Sequence, residues 1–432
     1  MIKHCRKNHN QRILLTAFAL LPLQGLAGED PDQPKGLFLT WKEDPLRSMV
    51  IDWQTAETDK PGILTYRPEG IDQPWQSAEA MTIAFPFAER TIHRVALRDL
   101  EPGTTYKFRM EGFSREYSFR TMPKDSMDPI VVALGGDTLH YPRSMMDGVS
   151  RQAMRYDPDF IVWGGDLAYA DGEPERVNRW FIWFDSILET LVSDDGRVVP
   201  IVVAIGNHEV RGGYIWRTSE EGEAGYEQTD EYRLSIAPYF YTLFAFPGQP
   251  GYGVLDFGSY LSLIILDTEH SNPIPGDQTE WLRDVLSERK DTVLHRLPIY
   301  HDTGYPSARS FDGRVPRRIR DYWMPLFEEY GVRFGFEHHD HTYKRTLPML
   351  SGEPNEEGII YFGDGAWGVN VRPVKPAEDY GYMAKVASKR HAIIMTLQGK
   401  HLSFEVICED GEIIDRFPEM PEPAGLRYEE GD

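Results

Sequence analysis

Short runs of apolar residues alternating with polar ones occupy positions 35–122. The stretches 37–41, 48–55, 62–67, 81–85, 91–97, 104–111 and 116–121 each read as a strand, and turn signals such as Lys60-Pro61-Gly62 and Glu101-Pro102-Gly103 separate them. About seven short strands in so little chain predict an all-β sandwich. Met122-Pro123-Lys124-Asp125 reads as a linker. From Pro129 the pattern changes. Apolar runs at 130–134, 160–163, 199–205, 261–266 and 358–362 alternate with helical spacing at 144–156, 177–192, 278–288 and 318–330. This alternation predicts α/β layers over 128–417, closed by a β meander at 391–417. The acidic, Pro-containing tail 418–432 is expected to be loose.

The first 27 residues carry a different pattern. Lys3, Arg6, Lys7 and Arg12 precede the short apolar run 13–23, and Gly25-Leu26-Ala27 supplies the small residues of a cleavage site. This predicts a signal peptide cut after Ala27 and an exported protein, periplasmic or extracellular. The run is short for a membrane span of roughly 20 residues. Cys5 lies in the leader, so Cys408 alone remains after cleavage and no internal disulfide is expected. The formal net charge of -22 argues against nucleic acid or an anionic membrane as partner. It leaves room for a small phosphate ester, because bound metals can reverse the local field. Oligomeric state is not legible.

Five polar clusters follow apolar runs, where buried strands would emerge into loops: Gly136-Asp137, Gly165-Asp166-Leu167-Ala168-Tyr169-Ala170-Asp171, Gly206-Asn207-His208-Glu209, Tyr300-His301 and His339-Asp340-His341. Strand ends of α/β sheets are where ligand groups are placed. Carboxylate, phenolate and imidazole groups suit iron, zinc or manganese. Asp137, Asp166, Asn207, His301, His339 and His341 are too many for one closed site. One bridging Asp would divide them between two ions about 3.5–4 Å apart, able to activate a shared water and clamp a phosphoryl group. The Gly before each Asp or Asn is expected to let the backbone turn sharply.

The ordered set resembles the calcineurin-like metallophosphoesterase superfamily, and the segment from Gly165 to Asp171 resembles its purple acid phosphatase branch. Leu100 to Tyr106 resembles a fibronectin type III corner, in which a Tyr hydroxyl bonds back to upstream backbone. The resemblance implies a multidomain chain. A fibronectin III-like sandwich (35–122) would precede an αββα catalytic sandwich with two mixed sheets (128–417). It implies Fe(III) held by Asp137, Tyr169 and His341. Zn, Mn or Fe(II) would be held by Asn207, His301 and His339, with Asp166 bridging. A metal-bound hydroxide would attack phosphorus in a phosphate monoester, and His208 would contact the phosphate and assist the leaving group. Asp171 would orient His208. The alternatives are a phosphodiesterase or nucleotide pyrophosphatase on the same site, and an exported binding protein that has lost catalysis.

Some positions depart from the family. Its usual Gly before the final His-x-His is here His338, read either as a replacement proton donor or as a packing group. The loop after His301 lacks the further histidines of plant enzymes. Arg309 or Arg314 could grip a phosphate there or simply be solvated. His140 reads as an outer neighbour of the site or as unrelated to it. The Gly363 to Gly368 segment reads as a turn or as a pocket wall.

Overall fold

The computed structural model describes residues 34–70, 73–217, 228–363 and 365–418. The export segment 1–27 and the tail beyond 418 lie outside the described residues. Among the described residues, no helix is long and apolar enough to cross a membrane.

The N-terminal region is a sandwich of two four-stranded antiparallel sheets. One is ordered Lys35–Thr40, Met49–Ala56, Arg90–Leu97, Met81–Ala84; the other Gln76–Glu79, Ile63–Pro68, Thr105–Met110, Tyr117–Arg120. Seven of these eight strands match the alternating runs. Gln76–Glu79 escapes the pattern because it is a short, largely exposed strand. At the corner, the Tyr106 hydroxyl accepts the Glu101 N–H at 2.9 Å.

The strand Lys35–Thr40 joins the two domains through its period of two. Leu37 and Leu39 enter the sandwich core, while Phe38 on the other face packs 5.6 Å from Phe184 of the helix Val177–Thr190. Just beyond the strand, Trp41 meets Phe160 and Phe257 edge-on at 5.6 and 5.5 Å. Arg94 pairs with buried Asp52 at 2.7 Å and donates to the Leu243 carbonyl at 2.6 Å. The sandwich core therefore runs on into that of the second domain.

The second domain has two mixed sheets face to face. The six-stranded sheet is ordered Ile201–Val203, Phe160–Trp163, Ile130–Gly135, His391–Gln398, His401–Cys408, Ile413–Phe417. The seven-stranded sheet is ordered Gly253–Phe257, Leu261–Ile265, His295–Ile299, Phe334–Glu337, Ile360–Gly363, Tyr343–Thr346, Met383–Ala387. Val132, Leu134, Leu263 and Phe336 fill the space between the sheets. Helices Ser144–Met154 and Val177–Thr190 cover the first sheet, and Asp277–Arg289 with Met324–Glu329 cover the second. This is the expected αββα layering. Within each sheet the ligand-bearing strands run parallel, so their carboxyl ends meet along one edge.

Several elements are absent from the apolar pattern. The strand His295–Ile299 holds Pro298 and a polar start. Tyr343–Thr346 holds Lys344, which is fully buried against Glu337. The expected helix at 318–330 is present within a continuous helical run from Arg314 to Glu329, with a π segment, Ile319–Trp323, before Met324–Glu329.

Candidate metal centre

The first sheet delivers Asp137, Asp166 and Asn207 from the ends of three neighbouring strands, and Tyr169 from the loop after Asp166. The second sheet delivers His301, His339 and His341. Two overlapping groups of ligand atoms result, Asp166–His301–His339 and Asp137–Asp166–His341, each within 4.8 Å and all buried. Asp166 belongs to both. The Tyr169 hydroxyl lies 3.1 Å from Asp137 Oδ1 and 3.2 Å from His341 Nε2. His301 Nε2 faces His339 Nδ1 at 3.1 Å.

The backbone is bent to achieve this. Asp137, Asp166, Tyr169, Asp171, His339 and His341 all have φ between 54° and 74°. Non-glycine residues seldom enter this left-handed region, and a cluster of them marks a site held in place by its surroundings. The expectation that the preceding glycines supply the sharp turn holds at Gly165, with φ 101°, and needs correction at Gly206. Gly206 is extended, and its role is closeness, since a Cβ there would stand 2.4 Å from Asp166 Oδ1.

Surrounding groups hold the first sheet's loops. Thr138 Oγ1 accepts from Trp183 Nε1 at 2.8 Å and donates to the Leu167 carbonyl at 2.7 Å. Arg179 donates to the Ala168 and Leu139 carbonyls at 2.6 and 2.7 Å. Buried Glu209 accepts the N–H groups of Asp166, Leu167 and Gly206 at 2.7–2.8 Å. Burial, then the charge of Asp166, pushes its pKa up to about 7. Glu209 was visible in the sequence only as the residue after His208; its value lies in collecting N–H groups from two loops.

The other ring nitrogens of the three histidines have different partners. His301 Nδ1 faces the Gly164 carbonyl at 2.9 Å, and His341 Nδ1 the Asn370 carbonyl at 3.3 Å. His339 Nε2 instead faces Asp302 Oδ1 at 3.4 Å and the Tyr214 hydroxyl at 3.3 Å. Tyr214 donates to the same Asp302 oxygen at 3.2 Å, and buried His270 stands 3.3 Å from the other one. Burial pushes the Asp302 pKa up to about 7, although His301 and Arg309 pull it down. Carboxylates behind metal-bound histidines commonly fix the tautomer and ring orientation. Asp302 and Tyr214 were missed from sequence because the contact depends on where loops meet.

His208 lies beside this cradle, half-buried. Its Nδ1 is 2.5 Å from Asp171 Oδ1, its Nε2 3.9 Å from Asp166 Oδ2, and its ring packs on Tyr169 at 4.2 Å. Asp171 also pairs with Arg176. His140 stands edge-on to Tyr169 at 4.5 Å, and burial followed by the charge of His341 lowers its pKa to about 4. The His338 ring is buried, Nδ1 faces the Tyr300 carbonyl at 2.8 Å, and it fills the space over Gly164, where a Cβ would stand 2.0 Å from the ring. These contacts fit the packing reading. Arg314 and Arg318 both pair with buried Glu269, and Arg309 faces Asp340 at 3.3 Å. The Gly363 to Gly368 segment lies against the site: Gly368 N–H donates to the Asp137 carbonyl at 3.0 Å, and a Cβ on Gly365 would overlap Asp137 Oδ2.

The donor set fits metal ions. Asn207 Oδ1 is buried and makes no hydrogen bond, and buried Asp166 Oδ2 has only His301 Nε2, 3.1 Å away and without hydrogen-bond alignment, which is costly unless a cation takes that place. Burial, and then the carboxylates of Asp137 and Asp166, raise the Tyr169 pKa well above its ordinary value. The phenol therefore keeps its proton unless a cation replaces it.

Residues 34–121 match the family described as "Purple acid Phosphatase, N-terminal domain", and residues 135–343 match "Calcineurin-like phosphoesterase". The chain is a purple acid phosphatase-like member of the calcineurin-like phosphoesterase superfamily. Human acid phosphatase type 7 is 22% identical over 441 residues, covering 93% of this chain and 94% of the human one. An uncharacterized protein of Mycobacterium tuberculosis is 23% identical over 353 residues, 73% of this chain; the match spans only 62% of that relative. The purple acid phosphatase PPD1 of yellow lupin seeds has the same fold. Its TM-score is 0.72 at 18% identity, over 90% of this chain and 74% of the lupin one. The family and the ligand groups together support a dinuclear metal site in a phosphoesterase scaffold.

Proposed function

We propose that this chain hydrolyses phosphate monoesters at two metal ions that share Asp166. The observation that carries this reading is the buried Asp166 carboxylate, shared by both groups of ligand atoms, together with the buried and unbonded Asn207 Oδ1. Asp137, Tyr169 and His341 would hold one ion and Asn207, His301 and His339 the other. The first set brings a carboxylate and a phenol, and so suits the more highly charged ion, Fe(III). The second brings three neutral ligands and suits Zn, Mn or Fe(II). Such a pair supplies charge stabilisation for the phosphoryl group and a water of lowered pKa.

The chain's own residues do the rest. Asp171 at Nδ1 holds the His208 ring so that Nε2 is turned toward the cradle, where it donates a proton to the leaving oxygen. Glu209 keeps the Asp166 and Asn207 loops in register. Asp302 and Tyr214 keep His339 turned so that Nδ1 faces the cradle. The basic and apolar segment before Ala27 supports export.

Hydrolysis rates of a phosphate monoester and a diester, before and after His208→Ala, test the reading. The monoester is expected to be the better substrate, and His208→Ala to slow it by about 10²–10⁴-fold. A diester preference would reassign the substrate, and an unchanged rate would remove His208 from the chemistry.

A further inference from the structure

The segment after the strand Ile360–Gly363 wraps His341. Beside the Asn370 contact to the ring, the Arg372 N–H donates to the His341 carbonyl at 3.1 Å. From that anchor the Arg372 side chain projects, half-buried. Among the described residues, its guanidinium has no hydrogen-bond or ion-pair partner. Burial and then the charge of Arg309 disfavour its own charge, while Asp340, Asp137 and Tyr169 are near enough to act on it electrostatically. Arg309 reaches the same ligand segment, with its guanidinium 3.3 Å from Asp340 and 3.4 Å from the His339 carbonyl.

An unpaired guanidinium partly out of water costs free energy unless an anion joins it, and here Arg372 is anchored on the His341 carbonyl while Arg309 reaches the His339 carbonyl of the same segment. The chain has 68 acidic residues against 46 Lys and Arg, so carboxylates to neutralise Arg372 are not scarce. Glu269, by contrast, has drawn both Arg314 and Arg318. The planar fork of an arginine matches phosphate oxygens with two parallel N–H···O bonds.

We infer that Arg372 and Arg309 form an anion-binding rim beside the metal cradle, and that the substrate carries a second phosphate group next to the one being cleaved. This rests on the phosphoesterase reading above and deepens it. The scissile phosphoryl group lies over the cradle, and the second phosphate is held at the rim on the His341 side.

The test compares propanediol monophosphate with propanediol bisphosphate on metal-loaded full-length protein, as wild type, Arg372→Ala and Arg372→Lys. The expected wild-type preference in kcat/KM is about tenfold for the bisphosphate. Arg372→Ala should bring that ratio close to one, and Arg372→Lys should keep part of it. Equal rates for the two esters in wild type would overturn the inference, as would a ratio unmoved by Arg372→Ala. If wild type cleaves neither ester, the phosphoesterase reading fails on its own account. Calorimetric titration with pyrophosphate and orthophosphate then decides the rim. Tighter pyrophosphate binding that is lost in Arg372→Ala supports it; binding indifferent to the substitution overturns it.

Discussion

The two halves of the cradle share Asp166 and little else. Asp137, Tyr169 and His341 bring their own negative charge and have no carboxylate behind them: the His341 ring faces the Asn370 carbonyl, and Thr138 and the Arg179 cation hold neighbouring loop carbonyls. Asn207, His301 and His339 bring none, and a carboxylate, Asp302, stands behind His339. Negative charge is thus placed in direct contact on one side and one layer back on the other. On the proposed assignment, the strand ends of two facing sheets would present two unlike cation sites around one shared carboxylate. Direct carboxylate and phenolate contact favours the higher charge, while an outer carboxylate tunes neutral imidazoles.

Substitutions can break this comparison or sharpen it. Asp166→Asn should damage both halves at once, with hydrolysis down on the order of a thousandfold and metal content, read by elemental analysis, well below that of wild type. Tyr169→Phe should act on the first half alone. That half is expected to lose affinity by roughly a hundredfold or more, above the range for outer groups. If Fe(III) sits on Tyr169, charge transfer from the phenolate would give the iron-loaded protein a visible absorption band, and the substitution should abolish it, which spectroscopy checks. Asp302→Asn should act on the second half alone, weakening one ion by about 10–100-fold while the visible band persists. Equal loss of both ions would show that the halves are not separately tuned. Trp41→Ala should leave metal content unchanged, because its contacts are Phe160 and Phe257 between the domains, yet lower stability by about 3–5 kcal/mol. Thermal unfolding measures that loss.

The clusters that hold the candidate ligands were legible because each follows a strand, and parallel strands deliver their ends to one edge; the roles within them came from the family resemblance. Even His301 could be placed, although Pro298 hides its strand. What lies behind the ligands was not legible. His338 sits one position before a ligand, but only the packed structure shows its ring seated over Gly164. Asp302 follows His301 in sequence yet acts on His339, through a loop whose path is fixed by Glu337 accepting the Gly304 N–H and Asp340 accepting those of Ser307 and Ala308. Arg372 stands in a stretch with no strand or helix pattern. Its meaning comes from the His341 carbonyl it is anchored to. In the N-terminal sandwich, strong alternation made seven strands readable, and the short exposed strand Gln76–Glu79 had no apolar face to reveal it.

The central claim is that this chain holds two cations on one shared carboxylate. Elemental analysis of pure protein, loaded and then freed of loose metal, measures it directly. The account predicts about two ions per chain; a single ion, or none, would contradict it.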